Sequence, residues 1–128
     1  GKAEMLYEES EIALFALGSM VSTGEHVREK LKEKGQPCTL VNARFVKPLD
    51  TDMIDRLCIT HKLIVTMEEN VLRGGMGMYV TKYIHEKHPE IRVIQIEHGN
   101  VSVLREMLGI NSDSVIRRIE KEFLNEKR

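Results

Sequence analysis

An α/β fold, three layers deep with a mostly parallel sheet between helices, is predicted by two features of this chain. Strand-like runs alternate with segments of helical spacing from one end to the other. The strands are near-continuous apolar runs, as in Glu11-Ile12-Ala13-Leu14-Phe15-Ala16-Leu17, which suits strands buried on both faces.

Each element follows in order. The first strand, Glu11 to Leu17, ends at Gly18-Ser19. Ser19 to Lys34 carries Met20, Val21, Val27 and Leu31 at helical spacing, with Gly35 where a helix C-terminus closes. Thr39 to Val41 is the second strand, and Asp50 caps a helix that turns Met53, Ile54 and Leu57 inward. Lys62 to Met67 is the third strand. Gly77 to His88 is a helix with Val80, Tyr83 and Ile84 inward, ended by Pro89. Arg92 to Ile96 is the fourth strand. A short helix over Val101 to Leu108 closes at Gly109, and Ser112 or Asp113 caps a last helix with Val115, Ile116, Ile119 and Phe123 inward. No repeat interrupts this pattern, so residues 1–128 read as one domain.

Composition narrows the functional classes. With 41% apolar and 30% charged residues the chain is of the soluble globular type. A formal net charge of −1 excludes the basic excess that nucleic-acid binding needs. No apolar run reaches the roughly 20 residues of a membrane span. The N-terminus, Gly1-Lys2-Ala3-Glu4-Met5, has neither an initiator Met nor an apolar signal region, which points to a trimmed chain. Cys38 and Cys58 lie in apolar stretches without CxxC spacing, so they read as buried reduced thiols and the compartment as the cytoplasm.

In parallel sheets functional groups gather at the carboxyl ends of the strands. Here those ends carry Ser19, Asn42-Ala43-Arg44, Glu68-Glu69-Asn70 and Glu97-His98-Gly99. Arg73-Gly74-Gly75-Met76-Gly77 leads into a helix. Its backbone N–H groups could receive an anion, or its glycines could simply permit close packing of helix on sheet, the preferred reading. Glu68 and Glu69 are adjacent, so on a strand they point to opposite faces and cannot form one acid/base pair. One is expected to accept loop amides or an arginine, with Arg44 the natural partner, and the other to face solvent or a partner. Ser19 lacks the GxSxG context of a nucleophile and reads as a helix cap. Among the five histidines, His85 and His88 are close but find no third ligand, and only His98 stands at the functional edge. No catalytic set, cofactor site or metal site emerges. Phe45, Val46, Val71, Leu72, Met76 and Met78 gather at this edge as candidate exposed interface residues.

The runs Ile12 to Val21, Asn42 to Asp50, Val65 to Asn70 and Gly74 to Gly77, in this order, resemble the C-terminal domain of the 1-deoxy-D-xylulose 5-phosphate synthases, relatives of the transketolases. The resemblance implies a transketolase C-terminal-domain-like fold in a dimeric enzyme. That enzyme condenses pyruvate with glyceraldehyde 3-phosphate, using thiamine diphosphate and magnesium. It feeds isoprenoid, thiamine and pyridoxal synthesis. It also implies that cofactor and metal lie on other domains, since this chain has no GDG motif with a downstream Asn. The chain would then serve assembly, with other domains or a second subunit as partners. One departure stands out: the family's Gly-x-Pro-Asp loop is missing, and Ile94-Gln95-Ile96-Glu97 runs straight into His98-Gly99. Two alternatives remain. The chain is the small subunit of a split transketolase-like enzyme, or a free-standing domain that binds a small phosphorylated ligand at Ser19, Arg44 and Gly74 to Gly77.

Overall fold

The computed structural model describes residues 2–44, 47–69, 75–98 and 107–125. The chain runs β1 (Glu4–Tyr7), β2 (Glu11–Ala16), α1 (Met20–Glu33), β3 (Thr39–Asn42), α2 (Thr51–Thr60), β4 (His61–Glu69), α3 (Met76–Lys87), β5 (Arg92–His98) and α4 (Met107–Ile119), closed by a π-helical turn over Glu120–Leu124. The strands form one sheet in the order β1-β3-β2-β4-β5. β3, β2, β4 and β5 are parallel, and β1 alone is antiparallel to its neighbour.

The long apolar runs become the central strands. Ile12, Ala13, Leu14 and Ala16 of β2 are wholly buried, as are Leu63, Ile64, Val65 and Met67 of β4. Alternate residues feed two cores. On one face Ile12, Leu14, Leu63 and Val65 meet Val27 and Leu31 of α1 and Val115, Ile116 and Ile119 of α4. On the other, Ala13, Phe15 and Ile64 meet Ile54 and Leu57 of α2 and Val80 and Ile84 of α3. This is the expected arrangement of helices on both faces of a mostly parallel sheet.

The ends of the elements follow local chemistry. Asp50 caps α2 by accepting from the Met53 N–H at 3.0 Å, and its second carboxylate oxygen accepts from the Ala3 N–H at 2.8 Å. One side chain thus ties the start of β1 to the start of α2. Gly35, at φ 84°, turns the chain out of α1 in the left-handed conformation that glycine allows.

Three expectations are corrected. β1 goes unread in the sequence, because four residues with exposed Glu4 and Tyr7 at their ends carry little apolar signal. α4 covers Met107–Ile119, so Ser112 and Asp113 lie inside it and cap nothing, and Gly109 does not close a helix; residues 101–106 of the expected short helix lie outside the described residues. Ser112 is buried within α4 instead. β5 extends through His98, so Glu97 and His98 belong to the strand rather than to a loop.

Candidate functional site

The carboxyl edge of the sheet is built around the ends of β2, β3 and β4 and the start of α3. β4 outlasts its apolar run by two residues, so Glu68 and Glu69 keep strand geometry and point to opposite faces. Glu68 is 1% exposed. Its two carboxylate oxygens accept from the backbone N–H groups of Met76 at 2.8 Å and Gly77 at 2.6 Å, the first residues of α3. A carboxylate here satisfies two helix-end donors that lack a partner within the helix and meets the positive end of its dipole. Glu69 is exposed and accepts a hydrogen bond from the Ser19 hydroxyl.

This arrangement decides several sequence readings. The expected division of labour between Glu68 and Glu69 holds, with amides rather than Arg44 as partners of the buried carboxylate. Arg44 is exposed, at φ 66°, and its N–H donates to Asn42 Oδ1 at 3.1 Å. Burial therefore does not force it onto Glu68. Ser19 occupies the cap position of α1, but its hydroxyl makes no cap bond and turns to Glu69. Gly75 caps α3 in an extended conformation. Gly77 packs against Thr66, Glu68 and Gln95, with no room for a Cβ, as the close-packing reading requires. Asn70, Arg73 and Gly74 lie outside the described residues, as do Phe45, Val46, Val71 and Leu72. Met76, expected as an interface residue, is wholly buried under α3, whereas Met78 is 51% exposed.

The anion reading of the glycine turn loses two of its donors, since the N–H groups of Met76 and Gly77 already serve Glu68. A diphosphate held through magnesium also needs a group of oxygen ligands. Among the described residues no cluster of three or more His, Cys, Asp or Glu could hold a metal ion.

Other polar groups are engaged away from this edge. His61, which the sequence reading left without a role, is 3% exposed and bonded through both ring nitrogens. Its only sequence signal is a histidine at the start of an apolar strand. His88 does not pair with His85. It binds Asp55 of α2 at 2.7 Å, and Asp55 also accepts from the Tyr83 hydroxyl at 2.8 Å. These two bonds, His88 first, hold the Asp55 carboxyl below its ordinary range. Cys38 and Cys58 are free and buried, on opposite faces of the sheet. Burial pushes the Cys38 thiol up to about 12 and the Cys58 thiol up to about 11, so neither is an activated nucleophile. No helix of the described residues is long and apolar enough to cross a membrane.

Comparison with known proteins gives concordant matches. The family model described as transketolase, C-terminal domain, matches residues 1–115. The 1-deoxy-D-xylulose-5-phosphate synthase of Lachnoclostridium phytofermentans is 46% identical over 127 residues, covering 93% of this chain and 20% of the relative. The synthase of Clostridium tetani is 34% identical over 128 residues, covering 94% of this chain and 21% of the relative. The chain thus spans about a fifth of the length of these curated relatives. Among solved structures, a split gene transketolase, titled an inactive beta4 tetramer, superposes with a TM-score of 0.80 at 24% identity. That match covers 94% of this chain and 40% of the other. A 2-oxoglutarate:ferredoxin oxidoreductase from Magnetococcus marinus superposes with a TM-score of 0.63 at 15% identity, covering 94% of this chain and 19% of the other. At these identities the structural matches speak for the fold alone.

Proposed function

The chain belongs to the transketolase C-terminal domain family, and from that premise we propose that residues 1–128 form the C-terminal assembly domain of a thiamine-diphosphate-dependent synthase. The parent enzyme condenses pyruvate with glyceraldehyde 3-phosphate to 1-deoxy-D-xylulose 5-phosphate, as a cytoplasmic homodimer. This chain alone is not catalytic. Cofactor and magnesium sit on other domains of the parent, which are its partners together with the second subunit.

The observation that carries this reading is the extent of the match to the synthases: nearly all of this chain against a fifth of theirs. The site geometry supports it. Glu68 spends its carboxylate on the start of α3, and such a group builds structure rather than binds a substrate. The same geometry weighs against a free-standing phosphate-binding domain.

A second reading, the small subunit of a split enzyme, draws on the neighbour whose title names a split gene transketolase. The reading frame upstream of Gly1 separates the two. A continuous frame carrying the GDG motif and its downstream Asn supports the assembly domain. A stop codon, with that motif in a neighbouring frame, supports the split enzyme.

Titration calorimetry of this chain with thiamine diphosphate and magnesium tests the division of labour. No binding heat is expected. Micromolar binding would place cofactor contacts on this chain and overturn the reading.

A further inference from the structure

We propose that His61 is a proton-operated catch, which holds the edge strand β1 on the sheet while its imidazole is neutral and loosens it when the ring is protonated. The inference stands apart from the family assignment and concerns the opposite end of the sheet from the carboxyl edge. His61 opens β4 directly after α2. Its Nδ1 lies 2.9 Å from the Leu57 carbonyl oxygen. A carbonyl only accepts, so Nδ1 carries the proton, and the Thr60 hydroxyl oxygen stands at 2.9 Å from the same nitrogen. Nε2 is then the acceptor, and the Thr39 hydroxyl donates to it at 2.7 Å. The Thr39 oxygen in turn accepts the Glu9 N–H at 2.8 Å.

The last bond is the one that matters for β1. Thr39 is the residue of β3 next to Leu40, where the β1 ladder ends at the Tyr7–Leu40 pair. The Thr39 hydroxyl therefore continues the attachment of the chain after β1. Thr39 is wholly buried. The remaining ties of this turn are more exposed. Arg28 lies over the Tyr7 ring at 3.8 Å and 3.6 Å from the Glu9 carboxylate, and Arg56 pairs with Glu8 at 2.9 Å. The Arg56–Glu8 pair, with both side chains more than half exposed, contributes little.

Protonation reverses the Thr39–His61 bond and leaves the Thr39 oxygen, which still accepts the Glu9 N–H, facing two donors. Nε2 becomes a donor, so Thr39 must accept from it, and the Thr39 hydroxyl hydrogen loses its acceptor in a buried site. A charge also enters a position that is 3% exposed. Charged groups of both signs stand around the ring. Glu8 favours the imidazolium but is engaged by Arg56, Glu9 is paired with Arg28 of α1, Glu11 lies opposite His61 in the β2–β4 register, and Lys62 adds a like charge next in sequence.

Burial accordingly holds the ring below its ordinary 6.5. The sign follows from linkage. The unfolded or opened segment binds the proton more tightly, so the catch is intact above the ordinary value and is lost as pH falls below it, through the lower folded value.

Native-state amide exchange, corrected for intrinsic rates, tests the catch at about pH 7.5 and about pH 5. The Tyr7 and Glu9 amides are expected to open about fivefold more in acid relative to Val65 of β4, the effect of one buried hydrogen bond. In H61Q this difference between the two pH values should vanish. T39V, which keeps His61 but removes the hydroxyl, should open β1 at both pH values and lose the acid response. An unchanged Tyr7-to-Val65 ratio overturns the proposal. So does the same acid response in H61Q or T39V, or ring-nitrogen NMR showing Nε2 protonated at neutral pH.

Discussion

A methyl group placed on Gly77 would stand 2.8 Å from Thr66 Oγ1, 2.9 Å from Glu68 Oε2 and 3.1 Å from Gln95 Oε1. Thr66 is wholly buried, and Glu68 is fixed by two backbone bonds, so neither can retreat. Gly77→Ala is therefore expected to destabilise the fold by about 1–3 kcal/mol, the range for overpacking a tight interior. Gly35→Ala is the control. Its φ of 84° costs strain of about 1 kcal/mol, but no atom lies within 4 Å of the added methyl. Urea unfolding of both variants checks this, and a Gly77→Ala variant as stable as the parent would show that the start of α3 is loosely packed. The sequence made the glycine turn visible, and its preferred reading as a packing device holds at Gly77. It left open which of Glu68 and Glu69 is the acceptor, and did not place its donors at the start of α3. That pairing joins residues eight and nine apart across a glycine turn, and nothing in the local pattern encodes where a loop returns. His61 was missed for a similar reason: its partners come from β3 and α2, and only the folded sheet brings them to one ring.

At the scale of elements, each helix pair has its own polar tie. α2 and α3 are joined by Asp55 with Tyr83 and His88, and α1 and α4 by Lys30 with Asp113 at 2.7 Å. Asp55 has its pKa lowered, first by the hydrogen bond from His88 and then by that from Tyr83. A lowered carboxyl contributes stability that is present above its ordinary 3.8 and lost as pH falls through the folded value beneath it. Asp55→Asn should flatten that part of the acid limb and leave the profile near neutrality almost unchanged. The Asp55 side chain is 46% exposed, so its contribution at neutral pH is expected to stay under about 1 kcal/mol. Thermal unfolding from about pH 5 downwards is the measurement, and an acid limb of unchanged slope would remove Asp55 from the account. Element order was legible because buried strands and amphipathic helices have different periods. β1 and the continuity of α4 were not. β1 is short and half polar, and α4 runs through Gly109, Ser112 and Asp113, whose local preferences favour a boundary that the helix does not observe.

For the whole molecule, the question is which surface would meet the rest of the proposed parent enzyme. The sequence grouped Met76 and Met78 together at the glycine turn, because spacing alone cannot tell one helix face from the other this close to a helix start. The fold separates them. Met76 is wholly buried among Phe15, Ile64 and Val80 on the α2–α3 face, while Met78 is 51% exposed two residues later. An exposed methionine beside the carboxyl edge suits an adaptable contact with a neighbouring domain or subunit, and it has no part in the core. The two positions therefore give opposite expectations. Met76→Asp places a carboxylate in a sealed apolar site and should unfold the domain, at a cost above about 4 kcal/mol. Met78→Asp should change stability by no more than about 0.5 kcal/mol. In the assembled parent enzyme, however, it should weaken association or lower activity. Denaturant unfolding of this chain and sedimentation of the parent enzyme with the same substitution supply the two readouts. If Met78→Asp leaves both stability and assembly untouched, Met78 is ordinary surface, and the contact with the rest of the enzyme lies elsewhere.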